Sequence, residues 1–356
     1  MIDRILSQVA LLRRDRGWSQ RELATRSGAS RAEVSAIETG RLSPSTVTAL
    51  KLARALERKV EDLFSIPGPT ADAEWALPPR ADRGRFWEAR VGERKLIYPV
   101  ELTAAGVVPQ DGTFEGESMA REDWSDPERT LVVAGCDPAV GLLASELRRV
   151  SGFRVLALTR GSRDALELLS RGLVHAAGVH WSSVRGPDAN SAVVAGTLGH
   201  GFRLLHLARW QEGIALAASV RSRSTAALAR SRIRWVAREE GSGARRCLDR
   251  LLGSGPSGPS RRRFRHFASD HRGVAQAIKS GWAEAGVAVR LAAEEAGLDF
   301  IAVQQEDYEL CFAESLRMDP VMVALRRAMR DGALRGLYRG LPGYDVSRMG
   351  EERAVA

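Results

Sequence analysis

Two serines near the N-terminus, each followed three residues later by a glutamate, constrain this chain more than any other feature. They are Ser19 with Glu22 and Ser30 with Glu33, set in the run Gly17 Trp18 Ser19 Gln20 Arg21 Glu22 Leu23 Ala24 and the run Ser27 Gly28 Ala29 Ser30 Arg31. A serine hydroxyl accepts the N–H of the residue three positions on, and a glutamate at that position can return the bond, so each pair has capping-box spacing. Two short capped helices therefore flank a tight turn. Leu23, Ala24, Val34 and Ile37 recur at a spacing that puts them on buried helix faces, which leaves Gln20, Arg31, Ala32, Ser35 and Ala36 outward.

From about Ile5 to Phe64 these residues resemble the Cro/repressor (XRE) type of helix-turn-helix. The resemblance implies an all-α, five-helix DNA-binding domain over residues 1–65, with the second helix of the motif entering the major groove of an operator. Carried over by position, Gln20, Ser30, Arg31, Ala32 and Ala36 are the base-facing candidates, with Ser35 on the same outward face. Ala32 and Ala36 offer only apolar contact, for example to a thymine methyl, so Arg31 is the main bidentate reader, most naturally of guanine. Beyond Gly40, Arg41, Ser43 and Ser45 would meet phosphates.

The chain has 356 residues, enough for two or three domains and a large core in the C-terminal part. Its formal net charge of +9 favours polyanionic partners without naming one. The first 65 residues hold twelve Lys or Arg against eight Asp or Glu, so the N-terminal domain takes part of this excess. Arg261, Arg262 and Arg263 read as a solvated loop rather than as a second DNA site. The three cysteines, Cys136, Cys247 and Cys311, lie far apart without metal-ligand spacing, so neither a disulfide framework nor a zinc site is expected. With no signal-like segment at the start and no apolar run near 18 residues, the expectation is a soluble cytoplasmic protein without a membrane partner.

After Phe64, Pro67 Gly68 Pro69 and Pro78 Pro79 mark a linker, and the alternating stretch Arg85 to Val100, with a turn at Gly92 Glu93, predicts a hairpin or small β element. Residues 66–124 are thus assigned to a linker with a small β element that packs against the larger domain. From Thr130 onward short apolar runs alternate with amphipathic helices, which predicts an α/β domain with a largely parallel sheet. Four strand-to-helix turns hold the polar residues of interest: Cys136 Asp137 Pro138, Gly161 Ser162 Arg163 Asp164, Gly178 Val179 His180 Trp181, and Gly241 Ser242 Gly243 Ala244 Arg245. Such turns gather at the C-terminal sheet edge, where helix N-termini receive anions. Each has a plainer reading as well: Asp137 as an N-cap, Ser as a cap, His180 as a core residue.

The order of these turns, with His175 to His180, Arg209 Trp210 Gln211 Glu212 Gly213, Gly286 to Val289, Gly297 to Ile301 and Asp307 to Leu310, resembles the periplasmic-binding-protein-like domain related to molybdate-binding proteins, over about Leu131 to Arg330. The resemblance implies a two-lobed, type II binding-protein fold over residues 125–340. Lobe 1 would take about 131–208 and 312–340, lobe 2 about 213–305, and residues 341–356 a loose tail. The chain would cross between lobes near Arg209 to Ile214 and near Asp307 to Phe312. Ligand-facing candidates are then Asp137, Ser162, Arg163, His180, Ser242, Gly243, Ala244, Arg245 and Tyr308. The hydroxyls of Ser162, Ser242 and Tyr308 and the Gly243 and Ala244 amides suit an oxyanion, whereas Asp137 would repel one unless it points away.

The combined expectation is a non-enzymatic, ligand-responsive, one-component transcription regulator. It would bind operator DNA as a homodimer and sense a small anion, such as molybdate or tungstate, without a further cofactor. Two alternatives stand beside it: a constitutive repressor whose second domain is a dimerisation scaffold, and an enzyme using the same cleft with Ser242 or His180.

Overall fold

The computed structural model describes residues 6–65, 73–122, 126–181, 189–253 and 264–355. Pro67 to Pro69 and Arg261 to Arg263 lie outside the described residues. The chain forms two compact units, Met1–Ala73 and Glu74–Ala356.

In the first unit a two-residue strand, β1 (Leu6–Ser7), is followed by α1 (Val9–Asp15), α2 (Gln20–Ser27), α3 (Arg31–Glu38), α4 (Thr46–Ala55) and α5 (Val60–Leu63). A strand β2 (Phe64–Ser65) returns antiparallel to β1. Ser19 and Ser30 are the N-caps of α2 and α3, each accepting the N–H three residues on at 3.1 Å. Gly28, in the left-handed region at φ 66°, ends α2 and makes the tight turn. The glutamate half of each box is used elsewhere. Glu22 pairs with Arg26 and Glu33 accepts the Thr48 hydroxyl at 2.9 Å, because a charge pair and a tertiary contact compete successfully with the return bond. Val9, Leu23, Val34, Ile37, Leu52, Leu56 and Leu63 close the core beneath.

The second unit begins with a five-stranded antiparallel sheet. Its strands are β3 (Ala73–Trp75), β4 (Arg83–Val91), β5 (Arg94–Pro99), β6 (Gly112–Glu115) and β7 (Ser118–Arg121), in the order β3-β5-β4-β6-β7. Gly92, at φ 59°, lets β4 turn into β5. Trp87 and Tyr98 share a core with Leu156, Leu158 and Leu169 of the α/β part, and the Tyr98 hydroxyl donates to the Leu173 carbonyl at 2.7 Å. The β element is larger than a hairpin, and it is part of the second unit rather than a linker.

The remaining elements, in chain order, are β8 (Thr130–Gly135), α6 (Val140–Ser151), β9 (Arg154–Thr159), α7 (Ser162–Ser170), β10 (Ala176–Val179), α8 (Ala189–Leu198), β11 (Phe202–Leu216), α9 (Thr225–Arg230), β12 (Trp235–Arg238), α10 (Gly243–Leu251), β13 (His266–Ala268), α11 (His271–Lys279), β14 (Ala285–Val289), α12 (Arg290–Glu295), β15 (Asp299–Ala313), α13 (Pro320–Arg330), α14 (Gly332–Arg339), β16 (Tyr344–Asp345) and β17 (Glu352–Ala354). The main sheet runs β13-β12-β14-β11-β15-β10-β8-β9. Parallel β8, β9 and β10 belong to lobe 1, whose α6 is packed by α13 and α14. Parallel β12, β13 and β14 belong to lobe 2.

The 15-residue strands β11 and β15 pair from Phe202 with Ala313 to Leu216 with Asp299, and they carry the chain through both lobes. Register shifts fall between His206 and Ala208 and between Glu212 and Gly213, on either side of the crossing. Residues 341–355 are not a loose tail. β16 and β17 pair with β11, and Val346, Met349 and Val355 are buried, because β11 offers an edge where the two lobes diverge. Among the described residues, no helix is long and apolar enough to cross a membrane.

Candidate functional site

On the first unit, Arg31 and Ala32 are exposed at the first turn of α3, where helix N–H groups point outward. Ser35 and Ala36 follow half-buried on the same helix. Gln20 is anchored: its amide donates to Glu38 at 2.9 Å, and the same carboxylate takes Arg13 at 2.6 Å. Burial resists the charge of Glu38, but its bonds from Arg13 and Gln20 outweigh that and hold it below the usual carboxylate range. Ser30 and Ser45 spend their hydroxyls as caps of α3 and α4. Arg41 and Ser43 are exposed beyond the helix, the Arg41 Nε donating to Thr39 at 2.9 Å.

On the second unit, the strand ends of both lobes face each other across a cavity of about 260 Å³. Gly135, Cys136, Asp137 and Thr159 line it from lobe 1, Asp270, His271 and Arg272 from lobe 2, and Tyr308 from the crossing strand; Leu102 to Ala104 and Gly106 also border it. The lobes are closed on one another. Arg272 of α11 donates to the Pro138 carbonyl at 2.6 Å. A Cβ added at Gly243 would stand 2.6 Å from the His180 ring, and one added at Gly161 would stand 2.9 Å from the Glu239 carboxylate. Glycine at these positions is what lets the two lobes meet.

Asp137 lines the cavity, and both of its carboxylate oxygens accept hydrogen bonds. One oxygen accepts the Ala139 N–H at 2.9 Å and the Tyr344 hydroxyl at 2.8 Å, and the other accepts Tyr338 at 3.1 Å. Burial raises its pKa, and these three donors only partly offset the rise. Tyr308 stacks on Trp210 at 4.6 Å, and its hydroxyl is met by the N–H groups of Cys136 and Asp137. That hydroxyl fits because Gly135 and Gly178 lack side chains, since a Cβ on either would fall within 2.3 Å of it.

The other candidates divide. Ser162 is buried, but its hydroxyl accepts the His180 N–H at 3.2 Å, and it stands inside α7 rather than at its cap. Ser242 caps α10, accepting from Arg245 N–H at 3.2 Å and donating to the Glu239 carbonyl at 3.0 Å. Gly243 and Ala244 are buried at the start of α10. Of the nine candidates only Asp137 and Tyr308 line the cavity; Ser162, His180, Ser242, Gly243 and Ala244 are buried away from its wall, and the two arginines are drawn elsewhere. Arg163 is exposed, with its stem against Gly241, and Arg245 pairs with Asp249 at 3.0 Å and lies over Phe264.

His180 is the centre of a buried polar cluster that the spacing of residues does not reveal. Its Nε2 lies 3.1 Å from Cys136 Sγ, and its Nδ1 lies 2.6 Å from Glu306. Burial opposes the imidazolium, yet Cys136 and Glu306 together raise its pKa well above the ordinary value. Gln304 donates to both Glu306 and Glu212 at 2.8 Å, and Glu212, driven by burial and by the Glu306 charge, is pushed up to about 8. His271, from lobe 2, places Nε2 at 3.8 Å from Cys136 Sγ, and burial, Arg238 and His180 keep its pKa well below the usual value. Arg238, also buried, forms a bidentate pair with Glu239 and leaves Nη1 without a hydrogen-bond partner among the described residues.

The fold is that of a two-lobed binding-protein-like domain that follows a helical domain in the sequence. A model described as the PBP superfamily domain matches residues 144–330, more than half of the chain, and the chain belongs to that family. A helix-turn-helix model matches residues 9–63, so the first unit is a helix-turn-helix domain. The chain is 24% identical to the uncharacterized protein YvgK of Bacillus subtilis over 243 residues, which are 67% of this chain and 78% of that protein. Its N-terminal part is 47% identical over 53 residues to an uncharacterized HTH-type transcriptional regulator of Methanothermobacter thermautotrophicus, covering 15% of this chain and 77% of that protein. Among solved structures, an ABC-type phosphate transport receptor from Vibrio cholerae aligns with TM-score 0.42 at 12% identity, covering 60% of this chain and 98% of that one.

Proposed function

We propose that this chain is a transcription regulator whose DNA affinity is set by a small anion held in the cavity between the lobes. One observation carries the reading: the cavity takes its walls from both lobes, Cys136 and Thr159 on one side and Asp270 to Arg272 on the other. An occupant there touches both lobes at once and favours the closed state by its differential contacts. The cation on the cavity wall is Arg272, whose guanidinium is shared between Glu295 at 2.8 Å and the Pro138 carbonyl at 2.6 Å, and an anion entering the cavity would compete for it. Molybdate and tungstate are the first oxyanions to test, with sulfate and phosphate beside them. The head would act as a homodimer on half-sites about one helical turn apart, in the cytoplasm where operator DNA lies.

The experiment is a thermal-shift screen of the full chain. A ligand present at about a hundred times its Kd should stabilise the fold by roughly 2.7 kcal/mol. Arg272→Gln should reduce the shift. The absence of any shift across oxyanions and small carboxylates would instead favour a constitutive repressor with a scaffold domain.

A second reading has one geometric fact behind it. Cys136, His180 and Glu306 stand in the order thiol, imidazole, carboxylate that activates a nucleophile, whereas Ser242 is hydrogen-bonded only within its own turn. The enzyme alternative therefore moves from Ser242 to Cys136. Turnover of a cavity ligand that is lost in Cys136→Ser while binding persists would favour it over the regulator reading.

A further inference from the structure

We propose that Cys136, His180 and His271 bind a thiophilic d10 metal ion, Zn²⁺ or Cu⁺, that ties the two lobes together across the cleft. Cys136 Sγ, His180 Nε2 and His271 Nε2 all lie within 4.8 Å of one another, and all three residues are buried. Around one ion with metal–sulfur and metal–nitrogen bonds of about 2.3 and 2.0 Å, sulfur and nitrogen ligands stand about 3.6 Å apart. The observed separations from Cys136 Sγ, 3.1 Å to His180 and 3.8 Å to His271, bracket that edge. Small movements of three side chains complete the geometry.

The surroundings match what such a site needs. A ligating histidine is normally held through its other nitrogen by a carboxylate, and His180 Nδ1 has Glu306 at 2.6 Å. That bond turns the Nε2 lone pair toward Cys136. A second buried carboxyl group, Glu212, stands with Glu306 beside His180. The nearby cation, Arg238, is already paired with Glu239 at 2.6 Å. Thiolate and imidazole are the donors that select Zn²⁺ or Cu⁺ over hard cations. Cys136 and His271 also face the cavity, which leaves room for a fourth ligand.

Cys136 and His180 sit at strand ends of lobe 1 and His271 starts α11 of lobe 2, so metal binding and lobe closure are one event. The site does not depend on the anion reading, because it can fill whether or not an anion follows.

The test uses the full chain, stripped with chelator and held reduced. Zn²⁺ is titrated against a chromophoric chelator, Cu⁺ against a Cu⁺-selective one, and Co²⁺ serves as a spectroscopic probe. The expected result is one ion per chain, with a near-ultraviolet thiolate-to-Co²⁺ charge-transfer band that disappears in Cys136→Ser and persists in Cys247→Ser. Glu306→Gln, which replaces the carboxylate that holds His180 and leaves the three ligands in place, should weaken binding roughly 10- to 100-fold. Failure of the unmodified chain to take up either ion, or to show the thiolate band with Co²⁺, overturns the proposal without recourse to any variant. So does an undiminished band in Cys136→Ser.

Discussion

The helix-turn-helix unit and the binding-protein-like unit are built by opposite kinds of contact. In the first, the caps at Ser19 and Ser30 bond the N–H three residues on, and the helices follow from pairs almost adjacent in sequence. In the second, the cleft joins Cys136 to His180, His271 and Glu306, residues that meet only because the sheet places β8, β10 and β15 side by side and closes lobe 2 over them. A surface that reads a periodic polymer can be made from one short helix. A site that must open and close around a ligand has to draw its walls from both sides of a hinge.

The contrast can be broken first at the hinge. Trp210 is buried on β11 between Tyr308, His180 and His271, so Trp210→Ala should cost about 4 kcal/mol in equilibrium urea unfolding. A loss below about 1 kcal/mol would mean that the crossing strands are held by their ladder alone.

Next in size is the pH response of lobe 1. His175 is buried and accepts the Val132 N–H through Nδ1 at 3.0 Å, and burial lowers its pKa from 6.5 to about 4. Between those values the unfolded chain takes a proton that the folded chain refuses. Stability is therefore complete above pH 6.5 and falls, by about 3 kcal/mol in all, as the pH drops toward 4. Urea unfolding from pH 7 to 4 should show this fall, and His175→Asn should remove that part of the slope.

The first unit gives smaller effects. Arg31→Ala should cost about 2 kcal/mol of binding to a selected operator and relax the preference at one base pair, measured by fluorescence anisotropy. An unchanged sequence preference would show that α3 docks in a different register. Ser30→Ala removes one cap and should cost about 1 kcal/mol in thermal unfolding of the first unit, with the cleft untouched.

Legibility follows the same division. The capped helices and the strand-to-helix turns could be read because each is made within a few residues. Asp137 is not the N-cap of α6, which is Ala139, and its place as the acceptor of Tyr338 and Tyr344 depends on residues far along the chain. Arg163 and Arg245 were drawn toward the ligand by their place in the turns, yet a neighbouring Asp249 on the same helix captures Arg245, and Arg163 faces solvent. Cys136 and His271 show no metal spacing because their proximity is a product of lobe closure. Asp270 and His271 form a strand-to-helix turn like the other four, with Asp270 capping α11, but β13 before them is only three residues long.

In the proposed regulator, the occupant of the cavity controls the helix-turn-helix domain. The most direct measurement of that control is the Kd of the full chain for a selected operator with and without the anion that gives the largest thermal shift. A change of about fivefold or more is expected, since coupling between sites typically amounts to 1–3 kcal/mol, and Arg272→Gln should shrink it. An anion that stabilises the chain yet leaves the operator Kd unchanged would show that the cavity and the helix-turn-helix domain are not coupled.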